Sequence, residues 1–170
     1  MIIRHLVFDI ETTGLDPVTS RITCICAKDS AGNEHLFSDK DEKKIIHDFI
    51  MLFKSNDFVS LVSANGKDFD VPFIFIRAFL NGFDNSVFKE ISDTVHFDVI
   101  NDISKKKVSL NNLARLYNFP IKSGNGLQAI EYWQKGEIQD LLKYCMDDVR
   151  LTEKVYKKYL RIVSNKEYKE

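Results

Sequence analysis

The 170-residue chain has no apolar run near the roughly 18 residues that a membrane span needs, and residues 45–53 are broken by His47 and Asp48. It shows no signal-peptide pattern, because Arg4 and His5 interrupt the N-terminus and a strand-like run follows at once. Cysteine is scarce, with three in all. Cys24 and Cys26 alternate with Ile22 and Ile25 in a strand-like run, while Cys145 sits in a helical one. An odd count in such a setting reads as reduced core thiols and predicts a cytoplasmic protein. Cys24-x-Cys26 lacks a second Cys or His pair at suitable spacing, so no metal site is expected there. Net charge is also nearly absent, at −1, which argues against the strongly basic surface of a stable duplex binder. It leaves room for an enzyme that holds a few phosphates beside bound metal ions, since the metals supply positive charge locally. Neither an internal repeat nor a linker is visible, so one domain over 1–165 with a frayed 166–170 is expected.

What is present suits a buried core: 44% apolar residues and 13 Phe. Basic residues gather at Lys105-Lys106-Lys107 and from Lys154 to Lys169, as solvated faces or as phosphate contacts. Residues 2–10, 21–28 and 34–37 read as an antiparallel meander turning at Asp16-Pro17 and Ala31-Gly32-Asn33. Ser38 or Asp39 is placed to cap a helix over 41–54, whose Ile45, Ile46, Phe49, Ile50 and Phe53 recur at helical spacing. A strand over 57–63 leads to a helix from Asp70 to Leu80, ended by Asn81-Gly82. A fifth strand over 94–100 follows, then a short helix over 109–117 capped by Ser109. The segment 119–126, with Pro120, Ser123, Gly124 and Gly126, reads as a loose loop. Helical patterning returns over 127–134 and runs from 137 beyond 160. Strands first, then alternation, then helices make an α/β chain with a mixed sheet.

Acids gather in three places. In Leu6-Val7-Phe8-Asp9-Ile10-Glu11-Thr12-Thr13-Gly14 an apolar strand ends in two carboxylates two residues apart, hence on one face. Side by side and partly desolvated, they repel unless a cation sits between them. An acidic turn is the plainer alternative for this stretch alone. Asn65-Gly66-Lys67-Asp68-Phe69-Asp70 lies where a strand hands over to a helix, and there Asp70 or Asp68 could simply cap the helix. In Tyr144-Cys145-Met146-Asp147-Asp148, Tyr144 and Asp148 stack on one helix face. Asp148 borders the stripe of Leu141, Cys145 and Val149, and Asp147 points further toward solvent. The alternative is a boundary acid paired with Arg150 or Lys143.

Together these segments resemble the three motifs of the DEDD (DnaQ-like) 3′→5′ exonuclease superfamily. Phe8-Asp9-Ile10-Glu11-Thr12-Thr13-Gly14 is similar to F-D-x-E-T-T-G, Asn65 to Asp70 to N-x-x-x-F-D, and Tyr144 to Asp148 to Y-x-x-x-D. Position 143 is Lys rather than His, which marks the tyrosine (DEDDy) subgroup. Ser109-Leu110-Asn111-Asn112-Leu113-Ala114 resembles the S-L-x-x-L-A segment of family B DNA polymerase exonuclease domains.

The resemblance implies a ribonuclease H-like α/β fold, with a mixed five-stranded sheet (an antiparallel N-terminal meander, then parallel strands) flanked by helices. It implies a two-metal exonuclease releasing nucleoside monophosphates from single-stranded 3′ ends, DNA more than RNA, with two Mg²⁺ or Mn²⁺ ions as cofactors. Asp9 would bridge both ions, Glu11 and Asp148 would hold the one carrying the attacking water, and Asp70 would act on the other. Tyr144 would orient or help deprotonate that water, and a free Tyr pKa near ~10 favours orientation. Thr12, Thr13, Gly14 and Leu15 would line the terminal nucleotide, and Asn65 and Phe69 the next, with Phe69 stacking on a base. Lys122 would meet a phosphate. His96 and Asp98 read as structural, with Asp98 also able to support the site. A polymerase, helicase or repair partner would act in trans. Two other readings compete: ribonuclease D-like RNA trimming, and a non-catalytic docking module in a replication or repair assembly.

Overall fold

The computed structural model describes residues 4–105, 108–121 and 126–166. Residues 1–3, Lys106, Lys107, residues 122–125 and residues 167–170 therefore lie outside the described part, and with them the expected Lys122 contact, half of the expected loose loop and most of the frayed end.

Alternation organises the sheet. Strand β1 (His5–Thr12) sends Leu6, Phe8 and Ile10 to one face and Val7, Asp9 and Glu11 to the other. β2 (Ile22–Asp29) runs antiparallel to it, and β3 (Glu34–Phe37) antiparallel to β2. β4 (Ser60–Ser63) and β5 (Val95–Asp98) add in parallel on the other side, giving the order β3-β2-β1-β4-β5. The fold is thus the expected mixed five-stranded α/β sheet.

Helices cover both faces. On one, α1 (Glu42–Lys54) and α2 (Asp70–Leu80) bury Ile45, Phe49 and Phe73 against Leu6, Phe8 and Ile10. Glu42 ties this layer together. Buried, it accepts the Ile22 N–H (2.7 Å) and the Arg77 guanidinium (2.6 and 2.9 Å), linking β2, α1 and α2. On the other face lie α5 (Leu110–Leu116), α6 (Gly126–Lys135) and α7 (Ile138–Lys166), whose Leu141, Cys145, Met146 and Val149 cover Val7, Cys24, Cys26 and Val62. Gly136, at φ 73°, ends α6: its N–H reaches Trp133 O and the Glu137 N–H reaches Tyr132 O. That pair of bonds closes the helix in a left-handed turn that glycine accepts readily, and α7 then folds back over the sheet.

Several boundaries differ from expectation. Asp41, not Ser38 or Asp39, caps α1 by accepting the Lys43 N–H, while Ser38 donates its hydroxyl to Thr23 O. β4 starts at Ser60 because Asn56 and Phe58 still belong to the turn that closes α1. β5 stops at Asp98, whose own carboxylate draws the N–H groups of Ile100 and Asn101 out of strand geometry into α4 (Asn101–Ser104). A 3₁₀ turn (Asn85–Phe88) and α3 (Lys89–Asp93) fill a segment that carried no pattern.

Candidate active site

Asp9 and Glu11 stand on the α7 face of β1, opposite Cys26 and Cys24 of β2. α7 lowers Cys145 onto them, with its Sγ 3.6 Å from Asp9 Oδ2. Ligand atoms of Asp9, Glu11 and Cys145 all lie within 4.8 Å of one another. Both carboxylates are half-buried. Loss of hydration pushes the Asp9 carboxyl well above the usual range, and the negative charges of Asp70, Asp148 and Glu11 push it further.

Asp70 arrives from the β4–α2 corner. It is not the cap of α2: it is the first helical residue, and Phe69 at the cap position makes no side-chain capping bond. Asp68 turns away to accept from Asn101 Nδ2. The Asp70 carboxylate is buried and accepts the Ile10 N–H at 3.1 Å, so it reaches across to β1. Burial raises its pKa to about 7 against the pull of that N–H, with Asp98 and Asp148 adding repulsion.

Two residues hold this corner in shape. Asn65 adopts φ 68°, a left-handed conformation that Asn tolerates. At Gly66 a side chain is excluded, since a Cβ there would sit 2.6 Å from Ser63 Cβ. Asp98, buried, accepts four backbone N–H groups: Asn65 (2.9 Å), Ile100 (3.0 Å) and Asn101 (3.2 Å) on Oδ1, and Lys67 (3.1 Å) on Oδ2. The role left open for Asp98 is thereby filled, since it fixes the loop that presents Asp70. His96 bonds to Ser63 at 2.7 Å and packs near Phe8.

α7 supplies the remaining groups. Tyr144 and Asp148 are both half-buried. Desolvation, then the charges of Asp148, Glu11 and Asp9, raises the Tyr144 phenol, which keeps its proton at neutral pH. Arg150 pairs with Asp147 (3.0 Å) and Glu34 (2.7 Å), which takes up the partner proposed for Asp148 in the plainer reading. Beside Tyr144 a cleft of about 440 Å³ opens between α6 and α7, lined by Tyr132, Lys143, Arg150 and Lys154 among others.

The other expected contact residues divide. Leu15 is 83% exposed, as a base platform must be. Thr12 donates its hydroxyl to Gly14 O (2.7 Å) and Thr13 accepts the Arg21 N–H (3.0 Å), so both shape the loop after β1. Gly14 does not need an unusual φ; its place is set by close approach to Ser20. Phe69 is half-buried, with its ring 5.3 Å from that of Phe73. The convergence that sequence reasoning missed is that of the thiols: Cys24, Cys26 and Cys145 lie within 4.8 Å of one another, buried and without a disulfide. The helical position of Cys145 one residue after Tyr144, on the buried stripe, was the only signal.

The carboxylates of Asp9, Glu11, Asp70 and Asp148 offer only oxygen, the ligand a hard divalent cation prefers, and the repulsion that raises Asp9 and Asp70 is of the kind such a cation relieves.

Comparison with known proteins agrees with this geometry. A DNA polymerase of Archaeoglobus fulgidus is 29% identical over 93% of the chain, and DNA polymerase 2 of Aeropyrum pernix is 26% identical over 93%. The chain spans about a quarter of their length, 23% in each case. The family B DNA polymerase of the archaeon Pyrobaculum calidifontis superposes with a TM-score of 0.80 at 25% identity, over 93% of this chain and 24% of that one. The fold matches that of a polymerase exonuclease domain, which is of the DEDD type. The RNase_H superfamily model (RNase_H_2) matches residues 6–160, and the chain belongs to that superfamily.

Proposed function

We propose that the chain is a divalent-metal-dependent 3′→5′ exonuclease of the tyrosine subgroup, acting on single-stranded DNA and more weakly on RNA. One observation carries this reading: the buried Asp70 carboxylate reaches from the β4–α2 corner to the N–H of Ile10, the residue between Asp9 and Glu11 on β1, and α7, which carries Tyr144 and Asp148, packs on that strand; desolvation and neighbouring negative charge raise the Asp9 and Asp70 carboxyls. Such a cluster is unfavourable in an apolar setting without a cation. Nucleases of the RNase H-like type use divalent metals, which supports the same assignment.

Asp9, Glu11, Asp70 and Asp148 would hold two Mg²⁺ or Mn²⁺ ions, which when bound supply an activated water and neutralise the departing alkoxide. Asp9 would be the shared ligand. The protonated phenol of Tyr144 orients the attacking water by hydrogen bonding and does not remove its proton. Asp98 holds the 65–67 loop, and so the carboxylate of Asp70, in place. Leu15 offers an exposed apolar surface to the terminal base, a contact that tolerates any base. Lys143 and Lys154 line the adjoining cleft as phosphate contacts. The likeness to DNA polymerases favours DNA over RNA, with 3′ ends presented by a polymerase, helicase or repair partner.

The test is degradation of 3′- and 5′-labelled single strands, DNA beside RNA, with Mg²⁺ or Mn²⁺. A ladder shortening from the 3′ end, lost with EDTA and in Asp9→Ala, is expected. Internal cuts or a 5′ start would overturn the direction, and faster RNA loss would move the substrate to RNA. No cleavage of any strand together with no metal binding would overturn the catalytic reading.

A further inference from the structure

We propose that Cys24, Cys26 and Cys145, with the Asp9 carboxylate, form a site for one thiophilic divalent cation of the Zn²⁺ or Cd²⁺ type, built into the floor of the carboxylate cluster. The cross-strand register explains how it arises. Cys24 and Cys26 project from β2 to the same face, opposite Glu11 and Asp9 of β1, and α7 closes the group from above with Cys145. The three sulfurs lie within 4.8 Å of one another, and Cys145 belongs equally to the group it makes with Asp9 and Glu11.

The dimensions suit a tetrahedral ion. With Zn–S near 2.3 Å, two thiolates on one zinc stand about 3.8 Å apart, so the three sulfurs need to contract by no more than about 1 Å, while the Asp9 oxygen, grouped with Cys145 but not with Cys24 or Cys26, turns further to reach the same ion. A thiolate and a carboxylate oxygen on the same ion stand about 3.5 Å apart. Cys145 Sγ and Asp9 Oδ2 are 3.6 Å apart. Entry is also provided for, because the thiols are buried but Asp9 and Glu11 are only half-buried, so an ion entering between the carboxylates meets Cys145 next. On binding, the three S–H protons and the proton of the Asp9 carboxyl, where it is held, leave to solvent; three S–M bonds and one O–M bond form, with no change in oxidation state.

Hard and soft ions are thereby set in competition for Asp9. Mg²⁺ and Mn²⁺ favour oxygen and leave the thiols protonated, whereas Zn²⁺ and Cd²⁺ take the thiolates and draw the Asp9 oxygen away from the cluster. This consequence rests on the nuclease reading above, but the site itself does not.

The test titrates Cd²⁺ into the reduced, metal-free full chain without added thiol. The expected result is one equivalent bound with strong thiolate-to-cadmium absorption and a ¹¹³Cd resonance at the low field of a three-sulfur site. That measurement on the wild type needs no variant to fold. Cys24→Ala, a residue outside the carboxylate cluster, should weaken Cd²⁺ by more than the about 10–100-fold that an outer-sphere change costs a metal site. The same variant should keep Mg²⁺-dependent cleavage while losing its inhibition by Zn²⁺. A wild-type spectrum without thiolate absorption, or a resonance in the all-oxygen range, would overturn the proposal and leave the thiols as packing groups. The absorption is read whether or not the chain cleaves DNA, so failure of the nuclease reading is seen separately, in the strand assay.

Discussion

Asp70→Asn should stabilise the metal-free protein at pH 8 and make it less sensitive to pH. The Asp70 carboxyl is buried, and its pKa in the folded chain is about 7. In the unfolded chain an Asp ionises near ~3.9. An acid raised on folding leaves stability intact below its unfolded pKa and withdraws it as pH climbs through the folded one. The loss therefore falls between about pH 4 and pH 7 and is complete at pH 8. At 1.36 kcal/mol per pKa unit, the ionised carboxylate costs on the order of 2–4 kcal/mol, part of it shared with Asp98 and Asp148. Asn keeps the carbonyl-type oxygen that accepts the Ile10 N–H and removes the charge. For a chain of this size the gain corresponds to roughly 5–15 °C in Tm at pH 8, shrinking toward zero near pH 4. Thermal melts of both proteins in EDTA from pH 4 to 8 measure it. An Asn variant less stable than the wild type at every pH would refute the desolvation reasoning, because it would mean that the carboxylate is a net stabiliser of the metal-free fold.

Gly66→Ala should cost about 1–3 kcal/mol and lower the cleavage rate, since its methyl would press on Ser63 Cβ and shift the corner that presents Asp70; chemical denaturation and kcat read the two effects. Asp98→Asn should cost about 1–3 kcal/mol, because the Asn oxygen can keep the Asn65, Ile100 and Asn101 N–H groups while the Lys67 N–H meets an amide NH₂; urea midpoints check it. Tyr144→Phe should slow cleavage by about tenfold, the worth of one hydrogen bond, against orders of magnitude for Asp9→Ala, with Mn²⁺ binding unchanged in the Phe variant; single-turnover rates and metal titration distinguish them.

Local rules carried far into this fold. The two-residue spacing of Asp9 and Glu11 placed both on one face of β1, and the 3.6-residue spacing on α7 put Cys145 in the core with Asp148 at its edge. What stayed hidden depends on groups distant in the chain. The cap of α1 passed to Asp41 because Ser38 is drawn off by Thr23 O. Asp98 reads from sequence as structural and able to support the site, but nothing local shows that its carboxylate will gather N–H groups from residues 65 and 67. Taken alone, the segment around Asp70 leaves a helix cap open as the plainer alternative, because the competing partner, the Ile10 N–H, comes from 60 residues away. The thiol cluster needs the register of β1 with β2 and the docking of α7 together, neither of which a Cys-x-Cys spacing contains.

If Asp9, Glu11, Asp70 and Asp148 form one two-ion site, the number of Mn²⁺ ions each chain binds reveals it. Calorimetric titration with electron paramagnetic resonance on the metal-free chain should find two magnetically coupled Mn²⁺ per chain in the wild type. In Asp9→Asn the coupling should be lost and at most one weak ion retained. No Mn²⁺ binding, or binding that survives Asp9→Asn unchanged, would mean that these four carboxylates do not form a two-ion site.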